Sequence, residues 1–269
     1  MSTPTPTICF GQQPNGFFPK GFFVDKVLTA QKLRQEIGGR IVWFCHDSDH
    51  DYRETITKIK TDRYPEGFVR LNINQTSKFI KLFSPLSRKD IKPGWQRETA
   101  NKLQPIVPKE SWELFTAIRA ATSADFCLAM YRGMGLLEGI DVVRSSDPAF
   151  RAQATDISGQ DHYLDIEYKD ALVHARKSAE GYFLDHGGNV KEFIPQELTP
   201  EALPATRLSP TRETRFAWMQ SVVHCTHYIY GKGEKEYVDF SPWKDIQFIE
   251  RKETYNPEFA VLKFEGLKV

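Results

Sequence analysis

The sequence predicts an α/β fold: a parallel sheet with helices on both faces, interrupted by an inserted subdomain. Three observations predict it. An apolar run, "TICF" (7–10), precedes a helical pattern in "FFVDKVLTAQKLRQEI" (22–37), and a second apolar run, "IVWFC" (41–45), follows. Strand, helix and strand within about 40 residues make a βαβ unit, whose strands run parallel. The second run does not alternate, so its strand is buried on both faces.

Each element follows from its residues. The first strand ends at Gly11, and Pro14, Gly16, Pro19 and Gly21 then mark a loop. Phe23, Val27, Ala30, Leu33 and Ile37 recur at helical spacing, and Gly38-Gly39 supplies a helix stop. Residues 52–109 break the pattern, with prolines, a tryptophan and many cations in "KFIKLFSPLSRKDIKPGWQ". They read as a basic inserted subdomain, leaving residues 1–51 and 110–269 as the core. Residues 109–139 are mostly helical. "IDVVRSSDPAFRAQA" reads as a strand and then a helix, with Asp147 as N-cap and Pro148 at the first helical position. Residues 162–185 mix a helical pattern with a strand, "EGYFLD", and "GGNVKEFIPQEL" continues an antiparallel pair. "TPEALPATRLSPTRETR", with three prolines, reads as a loop or a short helix joined to a turn. "VVHCTHYIY" is another apolar strand, after which Gly231-Lys232-Gly233 and "EKEYVDF" repeat the order of strand, glycine loop and helix.

The bulk properties exclude more than they specify. With 269 residues, 40% hydrophobic and 26% charged, the chain can bury a large core without staples. Its net charge of +1 gives no pull toward nucleic acid or an anionic membrane. Residues 52–109 hold 13 Lys and Arg against 5 Asp and Glu, a net of +8, which leaves −7 elsewhere. Such a run is either a solvated surface or a basic lid over an anion. Cys9, Cys45, Cys127 and Cys225 have no C-x-x-C spacing, and free thiols are expected rather than disulfides. "MSTPTPTICF" lacks the basic start and apolar centre of a signal peptide. No apolar run approaches the roughly 20 residues of a membrane span. A reduced, cytoplasmic setting is the expectation.

The chemistry gathers at strand ends. In a parallel βαβ unit the "GQQPNGFFPKG" loop and the "HDSDHD" cluster (46–51) leave the carboxyl ends of neighbouring strands, where open α/β sheets bind ligands. His46 and His50 with Asp47, Asp49 and Asp51 suit a divalent metal, an acid/base pair or a solvated turn. For a metal, His224 and His227 are the candidate distant ligands. Gln12 and Gln13 both donate and accept, which suits an amide, a sugar or a base edge. The helix N-terminus after Gly21, with Lys20, offers N–H groups and charge to an anion. Lys232, between two glycines, reads as an anion partner or an ordinary turn, and Glu234 and Tyr237 fall on one helix face.

Taken in order, these segments resemble the bacillithiol-biosynthesis cysteine-adding enzymes, the bacillithiol synthases. The first loop is similar to the family's G-Q-Q-x-G loop, and "SDHD" (48–51) stands where the family has E-D-H-D. "GIDVVRSSDPAFRAQA" resembles its G-L-x-x-x-D-x-x-D-P-x-x-R segment. "RLSPTRETR" is similar to S-P-N-x-x-x-R, with Arg215 on the final arginine. "HYIYGKGEKEY" is similar to Y-x-x-G-P-G-E-x-x-Y, which matches Gly231, Gly233, Glu234 and Tyr237. The likeness runs over about residues 7 to 240. It implies a Rossmann-like core of the class I nucleotidyltransferase and ligase type, and cytoplasmic C–N bond formation between the amine of an amino acid such as cysteine and a sugar-linked partner. The departures are Ser48 for the family's Glu, Lys232 for its Pro, and no heptad pattern before Val269 where the family carries a coiled coil for dimerisation.

Two functions are therefore expected. One is a ligase-like enzyme in which His50, with Asp49, Asp51 and His46, handles protons. In it Gln12, Gln13, Gly16, Lys20, Gly21, Arg215 and Gly231, Lys232, Gly233, Glu234 and Tyr237 hold substrate or a nucleotide, ATP or ADP. The other is a non-catalytic nucleotide- or metabolite-binding module on the same fold. Small-molecule partners are expected in both, without a metal, a nucleic acid or a membrane, and an oligomer would form without a coiled coil.

Overall fold

A computed structural model describes residues 5–266. Part of the N-terminal stretch read for a targeting signal, residues 1–4, lies outside the described residues.

Five parallel strands form the main sheet: β1 (Thr7–Gln12), β2 (Arg40–Cys45), β5 (Ile140–Arg144), β11 (His227–Tyr230) and β12 (Gln247–Glu250). Between them in the chain lie β3 (Thr57–Lys60), β4 (Phe68–Leu71), β6 (His162–Tyr168), β7 (Ala171–Ser178), β8 (Gly181–Asp185), β9 (Lys191–Phe193) and β10 (Leu208–Pro210). The sheet order is β5-β2-β1-β11-β12, all parallel. Counted within this sheet alone, that is 3-2-1-4-5, the Rossmann-like order, and its direction reverses between β1 and β11. Parallel strands with both faces covered explain the unbroken apolar runs. Ile8, Phe10, Ile41, Trp43, Cys45 and Ile229 enter one core, while Cys9, Val42, Phe44, Tyr228 and Tyr230 enter the other.

Helix α1 (Gly21–Ile37) covers the first face through Phe23, Val24, Val27 and Ala30, and ends where Gly38 takes φ 75°. Its N-terminus is closed. The amides of Gly21 and Phe22 donate to the carbonyls of Phe259 and Pro257, and buried Asp25 accepts from the amides of Thr254 and Tyr255. A Cβ at Gly21 would lie 2.1 Å from the Asn256 carbonyl oxygen, so the close approach of this C-terminal strap requires glycine.

Residues 52–109 hold the β3–β4 hairpin, α2 (Lys78–Phe83), α3 (Trp95–Leu103) and the first residue of α4 (Lys109–Ala117); α5 (Ser123–Gly133) follows. Trp95 and Leu103 share one aromatic core with Phe17, Phe18, Phe115 and Phe126. Burying each such side chain stabilises the fold by about 1.5–3 kcal/mol, so this segment is held by apolar packing rather than by its charge. Lys89 is fully buried, its ammonium donating to the Ile80 and Lys81 carbonyls near the end of α2, and burial pulls its pKa down to about 7.

The second face is covered by α6 (Pro148–Gln153), α7 (Arg215–Val223) and a five-stranded antiparallel sheet of order β10-β6-β7-β8-β9. This corrects the mixed helical reading of residues 162–185, which are three consecutive strands. Leu164, Ile166, Val173 and Ala175 alternate inward along β6 and β7, so the period is two, not 3.6. Asp147 caps α6 by accepting from the Ala149 amide, with Pro148 at the first helical position, as expected. "VV" of the run 222–230 ends α7, and the strand begins only at His227.

Among the described residues no helix is long and apolar enough to cross a membrane. All four cysteines are buried and free.

Candidate functional site

The carboxyl ends of β1, β2 and β11 meet the antiparallel sheet and the start of α7 in a polar cleft with two connected lobes. The larger, about 460 Å³, is lined by Gln13, His46, Asp49, His50, Glu54, Tyr163, His174, Arg212 and Arg215, among others. The smaller, about 200 Å³, lies at the reversal between β1 and β11, against Gly11, Gln12, Phe216, Tyr228 and Tyr237. Gln13, His46, Glu54, Arg212 and Arg215 line both.

The "HDSDHD" stretch divides into a support and a lining. Asp47 is fully buried and accepts from the Ser146 amide at 3.0 Å and the Ser146 hydroxyl at 2.8 Å, and it pairs with Arg144. The amide of Ser48 donates to Ser145 Oγ at 3.0 Å. These bonds tie the loop to the end of β5, so Asp47 and Ser48 hold the strand end in place. Asp49 turns into the cleft. One of its oxygens accepts from Gln13 Nε2 and from Arg215 Nη2, both at 3.0 Å, and the other from the Asp51 amide at 2.9 Å. Burial alone would raise the Asp49 carboxyl. The Arg215 guanidinium, with His50 and the Asp51 amide, outweighs it and holds the group well below the usual carboxylate range. Asp51 faces Arg53 in a bidentate pair (2.6 to 3.1 Å), half-exposed at the mouth.

The two histidines differ from their neighbours in being nearly unengaged. His50 makes no hydrogen bond through its ring among the described residues, and its Nδ1 is buried without a partner. Its ring lies 5.5 Å from that of His174 and 5.7 Å from that of Tyr163. Burial, reinforced by His174 and opposed by Asp49, pulls its pKa down to about 4. His46 stands edge-on to Phe44, and burial with Arg215 holds it well below its ordinary value.

These shifts have a measurable consequence. An unfolded His50 binds a proton below about 6.5, the folded one only below about 4. Between those values the unfolded chain carries more protons, so stability falls as pH drops from about 6.5 to about 4. His46 acts with the same sign. Urea midpoints at pH 7 and pH 4.5 should show the loss, and His50→Gln should reduce it; an unchanged slope in the variant would contradict the buried, neutral imidazole.

Gln12 donates to Gln13 Oε1 at 3.1 Å, and Arg215, the first residue of α7, reaches Asp49 across 166 positions of sequence. Tyr237 lines the smaller lobe beneath Arg212, whose guanidinium lies 4.1 Å from its ring centre. Glu234 borders that lobe but is engaged, pairing with buried Lys26 and accepting from Tyr228 at 3.1 Å and the Gly231 amide at 2.7 Å. Lys26 also donates to the Gly11 carbonyl at 2.9 Å, so this ion pair joins α1, β1 and β11 at the reversal.

Other expected residues lie elsewhere. Gly16 (φ 90°) serves a tight turn against Phe18 and Thr57 and lines neither lobe. Lys20 lies near Glu54 at 3.9 Å, outside the lining. With Gly21 and Phe22 bonded to Pro257 and Phe259, the α1 N-terminus is not free for an anion. Gly231, Lys232 and Gly233 do not line the cleft; Lys232 is exposed and pairs with Glu253. His224 and His227 lie at the amino end of β11, the opposite edge of the sheet from "HDSDHD". No group of three or more His, Cys, Asp or Glu among the described residues is arranged to hold a metal ion. Of the cations in residues 52–109, Arg53 alone lines the cleft, and Asp51 engages it; of the two readings of this basic run, a solvated surface and a lid over an anion, the lining does not support the lid.

Sequence reasoning did not single out Glu54, Tyr163, His174, Asp185, Arg212 or Trp218 as lining residues. The available signal for His174 was a histidine between the core-facing Val173 and Ala175, on the other face of an alternating strand, and for Arg212 its place three residues before Arg215.

Gly11 is a close-packed point of the cleft wall. A Cβ there would lie 2.8 Å from both His46 Nε2 and the Tyr228 hydroxyl, two buried rings. Gly11→Ala is expected to destabilise by about 1–3 kcal/mol through overpacking and to displace His46 into the cleft. Thermal unfolding would check this, and a variant as stable as the parent would show that the rings yield freely.

Comparison with protein-family models and with curated proteins finds no match for this chain.

Proposed function

We propose that the cleft is the active site of an enzyme that joins the amine of an amino acid to a small anionic partner. The observation that carries this reading is His50: a buried imidazole without a ring hydrogen bond among the described residues, beside a polar cavity. A pKa lowered to about 4 leaves it neutral at pH 7 and able to accept a proton. In the reaction, the amine lone pair forms the new C–N bond, the leaving group departs with its bonding pair, and the amine proton passes to His50. Asp49, Glu54 and Asp185 line the cavity beside Arg212 and Arg215, so it offers carboxylates to an ammonium group and guanidiniums to an anion. A cysteine-like amine and a sugar-linked acceptor are the substrates suggested by the resemblance to bacillithiol synthases. ATP or ADP is the nucleotide to test, because the smaller lobe sits at the strand reversal where such sheets bind nucleotides. A cytoplasmic setting accords with four buried, unpaired thiols.

One observation favours a second reading, a non-catalytic binding module: Asp49 and Asp51 are both engaged by arginines. The two readings separate by experiment. Thermal unfolding of the full chain with ATP, ADP, cysteine or a sugar malate, each alone, should gain about 2.7 kcal/mol at a hundredfold excess over Kd for a true ligand. Mass spectrometry of ligand pairs then looks for the ligated product. Product formation supports the enzyme; binding without product in every pair supports the module; no shift with either nucleotide removes ATP and ADP.

A further inference from the structure

We propose that His174 is a second proton-handling imidazole of this cleft, presenting Nε2 to the substrate, with Asp165 and Arg151 as its positioning residues. The inference rests on reading the cleft as an active site.

The geometry begins with register. Asp165 on β6 and His174 on β7 are direct partners across an antiparallel pair, so their side chains emerge side by side on one face of the sheet. His174 Nδ1 lies 2.8 Å from Asp165 Oδ1, and the other Asp165 oxygen accepts from Arg151 Nη1 at 2.7 Å. Arg151 is itself fixed. Its remaining donors reach the Ser145 carbonyl at 2.7 Å, the Thr206 carbonyl at 3.0 Å and Ser209 Oγ at 2.8 Å. All three charged or titratable groups of this chain are buried.

This arrangement sets the tautomer. Burial alone would raise the Asp165 carboxyl, but Arg151 and His174 outweigh it and keep it ionised. A carboxylate only accepts, so Nδ1 of His174 carries the hydrogen of that bond, and in the uncharged form of the ring Nε2 is the nitrogen with the lone pair. Tyr163 fixes the plane of the ring, stacking at 4.3 Å with 12° between planes. With Nδ1 turned to Asp165, Nε2 is the nitrogen that His174 offers to the cavity it lines, across from His50. A substrate N–H or O–H there would donate to Nε2 and could pass its proton to it, while the Nδ1 hydrogen stays on the Asp165 bond. Two imidazoles would then serve one cleft, His50 without a positioning partner and His174 with one.

A merely structural pair would need neither an unprotonated Nε2 nor access from the cavity, and two measurements on the unaltered full chain test both. Nitrogen-15 spectra of histidine-labelled protein at pH 7 should give His174 the Nδ1–H tautomer; an Nε2–H signature overturns the proposal. Diethyl pyrocarbonate, which acylates unprotonated imidazole nitrogen, should modify His174 in the folded chain, as mapped by mass spectrometry. If His174 reacts only after unfolding, the ring is sealed from the cavity and the proposal fails. In Asp165→Asn, both tautomers are expected, and retention of pure Nδ1–H would remove Asp165 from its positioning role. These readouts need no substrate. A correct tautomer and reactive ring alongside an empty ligand screen would count against the active-site reading, and the reverse pattern against His174 alone.

Discussion

Replacing Asp47 by alanine is expected to destabilise the fold by about 3–5 kcal/mol, the cost typical of breaking a buried charged pair. The carboxylate is fully buried and satisfies the Ser146 amide, the Ser145 and Ser146 hydroxyls, and Arg144. Arg144 keeps Asp125 at 2.7 Å, but the Ser146 amide and two hydroxyls lose a buried acceptor. Ser145 also holds the Ser48 amide, so the loop that carries Asp49 and His50 would shift with it. Asp47→Asn keeps one acceptor and should cost less. Urea unfolding measures both; an Asp47→Ala variant within about 0.5 kcal/mol of the parent would rule out this support role.

His50→Gln is expected to leave the fold intact and to lower product formation about 10²–10⁴-fold, the usual contribution of a general acid or base. The ring makes no hydrogen bond among the described residues, and its buried Nδ1 lacks a partner, so the fold loses no bond when it goes. Glutamine keeps comparable length and polarity without a basic nitrogen. The decisive comparison sets the rate on the substrate pair found by screening against the melting temperature. Full turnover in the folded variant would remove His50 from the chemistry. A parallel loss of stability would instead make it a packing residue.

Much of the parallel sheet was legible because its strands are unbroken apolar runs joined by a helix with clear spacing. Ile41 to Cys45 could be read as doubly buried, and the rim position of "HDSDHD" followed from that. The antiparallel sheet was harder to read. Its strands mix Asp165, Arg176 and His174 with the apolar alternation, and the buried polar members are satisfied only across strands and by Arg151 from another element. At the site, His50 and Asp49 were found from residue type and order, and Arg215 through the resemblance of its segment to the family motif. Asp47 and Glu234 looked alike in sequence but are engaged by Arg144 and Lys26, partners 97 and 208 positions away. Local chemistry identified a free helix N-terminus at Gly21; what it could not contain was the strap at Pro257 and Phe259, whose carbonyls close it. The missing information was long-range in each case.

That strap bears on how the protein is made. The ribosome releases β1 and α1 well before residues 254–259, yet the Gly21 and Phe22 amides and the Asp25 carboxylate find their partners only there. β1 likewise lacks its neighbour β11 until late in synthesis. During translation the first βαβ unit therefore exists as an open half-sheet with an unpaired strand edge, exposed for as long as the rest of the chain takes to emerge. Closure of the first βαβ unit therefore waits on residues 254–259, far from it in sequence.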